Sequence, residues 1–347
     1  METILVLTHV DETSSALTKA SLEAVTAGVE LARQLSATLT IGILGSASVE
    51  AANSAAGAVA ATGARLLAVS GGAFAQPRYA TDTAGGEALA RAAQASIVLA
   101  PGSSRFVRVS AGVAHRLGGF IDTHITALSS NDGVDATRWF YRQRVEAAIS
   151  REARPWFLLL DAGTHAPFAG EPAAAQVEAV TVTLPPVRTT VEGLRSPMRD
   201  AQTIRPDAKL LFVAGAGWTK KQPDGQIHVA VAGELILSFL RLSGASLGSS
   251  KSLADQKAEG EESVLPFLSH MNQIGQTGST PRHAKGLSTC CHGEEPHVVG
   301  WRFVGERRAI SLDPNCGWTR GKADVVYVAD AFQVMAKVNA LLRARSS

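Results

Sequence analysis

Residues 3–10 read TILVLTHV and residues 38–44 read TLTIGIL. Neither run contains Lys, Arg, Asp or Glu, and both are too short for a buried helix. Aliphatic, β-branched runs of this length are strands covered on both faces. Between them Leu17, Leu22, Val25 and Val29 recur at helical spacing as far as about Leu35, behind Thr13, Ser14 and Ser15, any of which suits an N-cap. Strand, helix, strand implies parallel strands joined by a helical crossover. The pattern continues with an alanine-rich helix over about 48–61, the strand ARLLAVS at 64–70, a helix near 84–94 and the strand SIVLAP at 96–101. The first half therefore reads as a doubly wound α/β sheet. The turn after the first strand, THVDETSS at 8–15, lacks a GxGxxG fingerprint, so no dinucleotide is expected there.

Residues 138–160 hold two apolar strands around a charged turn at Arg151–Arg154. Arg138, Arg142, Arg144, Arg151 and Arg154 offer cations for an anion, but such arginines more often form a solvated face or ion pairs. VEAVTVTLPP at 177–186 reads as a strand stopped by Pro185-Pro186. Residues 191–207, of mixed charge and without a lasting period, read as a linker between a domain at 1–190 and one at 208–347. The second domain opens with the strand AKLLFVAG at 208–215 and the glycine-rich turn Gly215-Ala216-Gly217-Trp218. It continues with a helix at about 230–242, the junction Gly248-Ser249-Ser250-Lys251, strands RRAISLDP at 307–314 and ADVVYVAD at 323–330, and a helix at 331–345. Residues 272–300, NQIGQTGSTPRHAKGLSTCCHGEEPHVVG, are too polar and glycine-rich for a core helix and read as a ligand-facing loop and turn.

Composition narrows the function. Of 347 residues, 46% are hydrophobic and 18% charged, with a net charge of +2, which supports a sizeable core and no nucleic-acid footprint. No uninterrupted apolar run is long enough to insert in a membrane. METILVLTHVDE has no basic region before its apolar run, so it reads as a first strand, not a signal peptide. Three cysteines are no disulfide framework, and a reducing, cytoplasmic compartment is expected.

The junctions of the second half, in order and spacing, resemble the alpha subunit of electron transfer flavoprotein, the family that includes the FixB proteins. Gly215-Ala216-Gly217 sits where that family has GRG, and Gly248-Ser249-Ser250-Lys251 with Asp255 where it has GASRAAVD. Ile274 and Gly275-Gln276-Thr277-Gly278 match its VGQTG turn. Cys290-Cys291-His292-Gly293 falls on GISG, Glu294-Glu295-Pro296-His297 on AIQH, Ser311-Leu312-Asp313-Pro314 on NKDP, and Ala329-Asp330-Ala331-Phe332 on ADLF. The first half, including RWFYRQRVEAAIS, is similar to the family's first domain.

The resemblance implies a Rossmann-like parallel-sheet domain that binds FAD at Ala216, Ser250, Lys251, Ile274, Gly275, Gln276, Thr277, His292, Gly293, Glu294, Glu295, Pro296, His297, Ser311, Asp330 and Ala331. It implies a heterodimer with a beta subunit that holds AMP, electrons received from flavin dehydrogenases, and delivery to a quinone oxidoreductase. It implies an electron carrier and not an enzyme with its own substrate. Backbone N–H groups of the turns would meet the pyrophosphate, and Lys251, Ser250 and His297 would meet the negative charge that reduction places near N1 and the C2 carbonyl.

The chain departs from the family at telling positions. Ala216 and Lys251 stand for arginines, His292 for serine, Pro296 for glutamine and Ser311 for asparagine. Glu294 and Glu295 bring carboxylates toward the expected pyrophosphate. Other readings stay open: a metal or iron–sulfur site from Cys290, Cys291, His292, His297 and Cys316, although no CxxC pair occurs; a cysteine nucleophile with a histidine base; and an interaction subunit derived from the family that has lost its flavin.

Overall fold

The computed structural model describes residues 2–11, 14–130, 133–140, 145–193, 204–205, 208–256, 264–275, 280–289, 304–314 and 323–346. The chain divides into two compact units, Met1–Leu194 and Arg195–Ser347, each built on its own sheet. The fold is α/β throughout: a doubly wound sheet in the first unit and a Rossmann-like, all-parallel sheet in the second.

In the first unit the chain runs β1 (Thr3–His9), α1 (Lys19–Leu35), β2 (Thr38–Ser46), α2 (Val49–Ala56), β3 (Arg65–Ser70), α3 (Tyr79–Ala92), β4 (Ile97–Pro101) and α4 (Ser104–Arg116). It continues through β5 (Phe120–Ser129), β6 (Asp135–Phe140), β7 (Val145–Ser150), β8 (Trp156–Leu160) and the short β9 (Glu178–Ala179). The sheet order is β7-β6-β5-β8-β4-β1-β2-β3-β9. The β5–β6 and β6–β7 pairs are antiparallel, and the other pairs are parallel. The central strands are buried on both faces, which is why they read as unbroken apolar runs. Helix α1 is capped by Thr18, whose Oγ1 accepts the Ser21 N–H at 3.2 Å, so the cap is Thr18 and not the hydroxyls at 13–15. Gly28 lets α1 lie close on the sheet: a Cβ there would stand 2.3 Å from Val6 Cγ2.

The second unit runs β10 (Leu210–Ala214), α5 (Val229–Ser243), β11 (Ser246–Ser249), α6 (Lys251–Gln256), β12 (His283–Thr289), β13 (Val304–Ser311), β14 (Val325–Val328) and α7 (Ala331–Ser346). Its strands pair in parallel in the order β11-β10-β12-β13-β14. One face packs Phe212, Ala214 and Ile310 under α5 and α7 with Phe239 and Met335, and a smaller cluster of Leu211, Val213, Ile274 and Val304 fills the other.

Three readings of the sequence need correction. Residues 177–186 do not form a full strand: only Glu178 and Ala179 pair with β3, and Val180 donates to the Ala68 carbonyl at 2.8 Å. The alternation in that segment is real, since Val177, Val180 and Val182 face the cores, but the segment lies on the sheet's edge and the prolines end it. Second, the single strand read before the turn at Arg151–Arg154 is two, the end of β6 and all of β7, and α4 and β5, which pairs with β6, were not legible as elements. Strands β5 and β6 alternate polar and apolar residues along a half-exposed antiparallel flank, with Asp122 and His124 inside β5. Third, part of the polar stretch 272–300 is not loop. Residues 283–289, HAKGLST, are the central strand β12, paired to β10 on one side and β13 on the other. Two of its polar residues are bonded nearby: the buried His283 ring places Nδ1 2.9 Å from the Pro281 carbonyl and Nε2 2.9 Å from the Arg205 carbonyl, and Thr289 Oγ1 donates to the Val213 carbonyl at 3.3 Å.

The arginines of 138–160 that lie among the described residues are ion-pair partners. Asp122 accepts from Arg138 at 2.9 Å, Arg151 at 2.6 Å and the Trp156 indole at 2.9 Å, and Arg154 pairs with Glu2 at 2.6 Å. Arg142 and Arg144 lie outside the described residues.

Candidate functional site

In the second unit the chain leaves β10 toward β11 and then crosses back to β12 on the other side of β10. Connections that diverge from neighbouring strands open a crevice at the strands' carboxyl ends, and in open α/β sheets ligands bind there. For the order β11-β10-β12-β13-β14 that point lies at the ends of β10 and β12. Ala214 O accepts the Ser250 N–H at 2.9 Å and Thr289 O accepts the Gly215 N–H at 2.9 Å, so three consecutive strand ends are tied together there.

The residues expected at a site fall along this edge. Ala216, 2% exposed, follows β10 and opens a short 3-10 turn. Ser250 and Lys251 follow β11, Ser311 ends β13, and Asp330 and Ala331 follow β14. Gln273 forms a parallel bridge with Ser249, and Ile274 packs on Gly248, where a Cβ would stand 2.7 Å from Ile274 Cγ2. Gly275 turns the chain with φ +79°, which favours glycine, and its N–H donates to Thr280 Oγ1 at 2.8 Å. Gln276, Thr277, His292, Gly293, Glu294, Glu295, Pro296 and His297, with Cys290, Cys291 and Cys316, lie outside the described residues.

Several of these side chains already have local work. Asp330 Oδ1 caps α7, accepting from Phe332 N at 2.7 Å and Gln333 N at 3.2 Å. Ser311 Oγ donates to the Asp313 carbonyl at 3.1 Å and accepts its N–H at 3.2 Å. Ser250 Oγ accepts the Leu253 N–H at 3.2 Å. Lys251 is 67% exposed and only loosely paired to Asp255 at 3.9 Å, which leaves it the most available cation of the group.

Two positions that the sequence did not single out matter here. The Ser249 and Ser288 hydroxyls are buried and have no hydrogen-bond partner among the described residues. Register places Ser249 beside Ala214 and Ser288 beside Val213, consecutive residues of β10, so the two side chains stand on opposite faces of the sheet. Buried hydroxyls without partners are uncommon in a finished core. The buried Ser46, Thr81, Thr83 and Ser110 hydroxyls of the first unit are in the same state, so these two do not mark a ligand; what favours one here is the close-packed Gly248 and the backbone turns at Gly215 and Gly275. Trp218 closes the floor: its indole N–H donates to Thr289 Oγ1 at 2.8 Å, and its ring lies 4.6 Å from that of Phe332. Among the described residues no group of three or more His, Cys, Asp and Glu is arranged to hold a metal ion.

The first unit has its own divergence point, between β1 and β4, and side chains of the chain fill it. His9 Nε2 lies 3.0 Å from Ser103 Oγ across the two strand ends, and the His9 ring packs edge-on against Phe106 at 5.5 Å. The Arg105 fork grips Asp82 at 2.8 and 2.7 Å and donates to the Phe74 carbonyl at 2.7 Å. Gly45, at φ +90°, makes room for it: a Cβ there would stand 2.6 Å from Arg105 Nη1.

Among the described residues no helix is long and apolar enough to cross a membrane. A family model for the electron transfer flavoprotein domain matches residues 6–187, more than half of the chain and wholly within the first unit. No curated protein matches the chain.

Proposed function

Because the chain belongs to the electron transfer flavoprotein domain family, and therefore has an electron-transfer role of that type, we propose that it is the alpha subunit of such a carrier and that its second unit binds FAD. The family works with partner subunits and dehydrogenases. In this reading the partner is a beta subunit holding AMP, electrons arrive from a flavin dehydrogenase, and they leave toward a quinone oxidoreductase in the cytoplasm. The division into a domain at 1–190, a linker at 191–207 and a flavin domain at 208–347 belongs to the same proposal.

The observation that supports the reading is the divergence of the chain at the carboxyl ends of β10 and β12, with the turns at Gly215 and Gly275 beside it. Bound FAD would supply one-electron chemistry that no side chain of the chain can perform. The backbone N–H groups of the Gly215 and Gly275 turns, with Gln276, Thr277, His292, Gly293, Glu294, Glu295 and Pro296, would line the pyrophosphate and sugars. Ile274 and Ala216 supply apolar contact and Ala331 backbone. Lys251, with Ser250 and His297, would place positive charge and donors against the ring edge that gains negative charge, which raises the potential. Asp330 would offer the carboxylate oxygen its cap does not use, and Ser311, whose hydroxyl is bonded to Asp313, would contribute its position at the end of β13. The chain's remaining task is to exclude water from the ring, which the packed Trp218–Phe332 floor favours.

The deciding experiment is an absorbance spectrum, with metal analysis, of the chain co-purified with its adjacent-gene partner. Flavin bands near one per heterodimer without metal are the expected result. A colourless sample that still pairs, or one carrying zinc or an iron–sulfur cluster, sinks the flavin assignment.

A further inference from the structure

At the opposite end of the second unit, an open surface groove of about 530 Å³ runs between α5 and α7, lined by Glu234, Leu237, Ser238, Arg241 and Arg343. In a parallel α/β unit the helices run back against the strands, so the carboxyl-terminal parts of α5 and α7 lie toward the strands' amino ends, away from the flavin crevice. The size is that of a small-molecule site.

Two hydrogen bonds hold the walls in register. Asn339 Nδ2 donates to the Leu235 carbonyl at 2.9 Å, and one helical turn later Arg343 Nη2 donates to Ser238 Oγ at 2.8 Å. The Arg343 guanidinium is thus fixed before any ligand arrives, which lowers the ordering cost of binding. Arg241 projects from α5 into the same groove and is exposed, and none of the described residues bonds it. Leu237 supplies the apolar part of the lining, and Glu234, seven residues before Arg241 and so about 10 Å along the helix axis, adds a carboxylate to the same lining. A planar guanidinium is suited to gripping carboxylate or phosphate through two N–H groups.

We infer that this groove is a binding site for a small amphipathic anion, with its carboxylate or phosphate head between Arg241 and Arg343 and its apolar body along Leu237. The site does not depend on the flavin reading, since it shares no residue with that crevice.

Calorimetric titration of the full chain with hexanoate and with hexyl phosphate, at constant ionic strength, tests it, with hexan-1-ol as the control for apolar binding alone. Saturable binding of at least one anion is expected. Arg241→Gln should weaken it about tenfold or more, the loss expected for one charge-assisted hydrogen bond. Arg343→Gln should do the same. If that variant melts early because the Ser238 contact is gone, Arg241→Gln alone decides. Preference for hexyl phosphate would identify a phosphate ester as the ligand class, and preference for hexanoate a carboxylate. A wild-type chain that binds neither anion, that binds hexan-1-ol as tightly as hexanoate, or whose affinity is unchanged by Arg241→Gln overturns the assignment.

Discussion

Arg105 and Asp82 form a two-pronged ion pair closed off from water, with side-chain exposures of 2% and 1%. Truncating one partner strands the other charge. Arg105→Ala should cost about 3–5 kcal/mol, whereas the double change Arg105→Met with Asp82→Leu should cost far less or nothing. Urea unfolding of the three proteins is the measurement. A single variant as stable as wild type would mean that water reaches Asp82.

Asp122 sets an acid limit on the first unit. Burial pushes its carboxyl up, but hydrogen bonds from Arg151 and Trp156 and the charges of Arg151 and Arg138 outweigh that and hold it below the usual 3.8. A carboxyl lower in the folded than in the unfolded chain contributes its stability in full above the ordinary value and loses it as pH falls through the folded one. The thermal midpoint should therefore drop as pH falls below about 3.8. Asp122→Asn should flatten that drop while costing roughly 2–3 kcal/mol at neutral pH.

Glu23 behaves in the opposite sense. Burial pushes its carboxyl above the usual 4.5, and the Gly163 N–H and the Lys19 ammonium only partly offset this. Its contribution is present below that ordinary value and is lost as pH rises through the raised folded value. Gln keeps an acceptor for the Gly163 N–H, which now bonds Glu23 at 2.7 Å. Glu23→Gln should melt higher at pH 7, by up to about 1 kcal/mol in stability. The gain should vanish in acid, and a scan of midpoint against pH checks it.

Lys251 is the test residue for the flavin reading. Lys251→Met keeps the length and apolar stem but removes the cation, so the flavin potential measured by dye-coupled titration should fall. The chain's stability should barely move, since the residue's ion pair is long and exposed. An unchanged potential would remove Lys251 from its assigned role without touching the fold.

What the sequence disclosed follows from burial. Strands β1, β2, β4 and β10 are covered on both faces and appear as unbroken apolar runs, as in Ile4–Leu7 and Ile97–Ala100. Strand β5 escaped notice because only one side of it is buried, and Asp122 within it is paid for by two arginines too distant in sequence to pair by eye. Strand β12 escaped because it carries polar residues whose partners lie far off in sequence, as the Arg205 carbonyl does for His283. Lys251, Ser311 and Asp330 were legible as positions through the motif order. The opposite faces that Ser249 and Ser288 take beside β10 depend on which strand lies beside which, and no motif states that.

Strand β8 is made after β7 yet lies between β4 and β5. During synthesis, β4 therefore waits with one apolar edge open until Trp156–Leu160 has left the ribosome. Residues 97–101, wholly buried in the finished sheet, are then an adhesive edge for other nascent chains. Chaperone demand should peak for ribosome-bound chains that end between β4 and β8 and fall once β8 has inserted. Premature stops in that interval should yield aggregates, not a smaller stable domain.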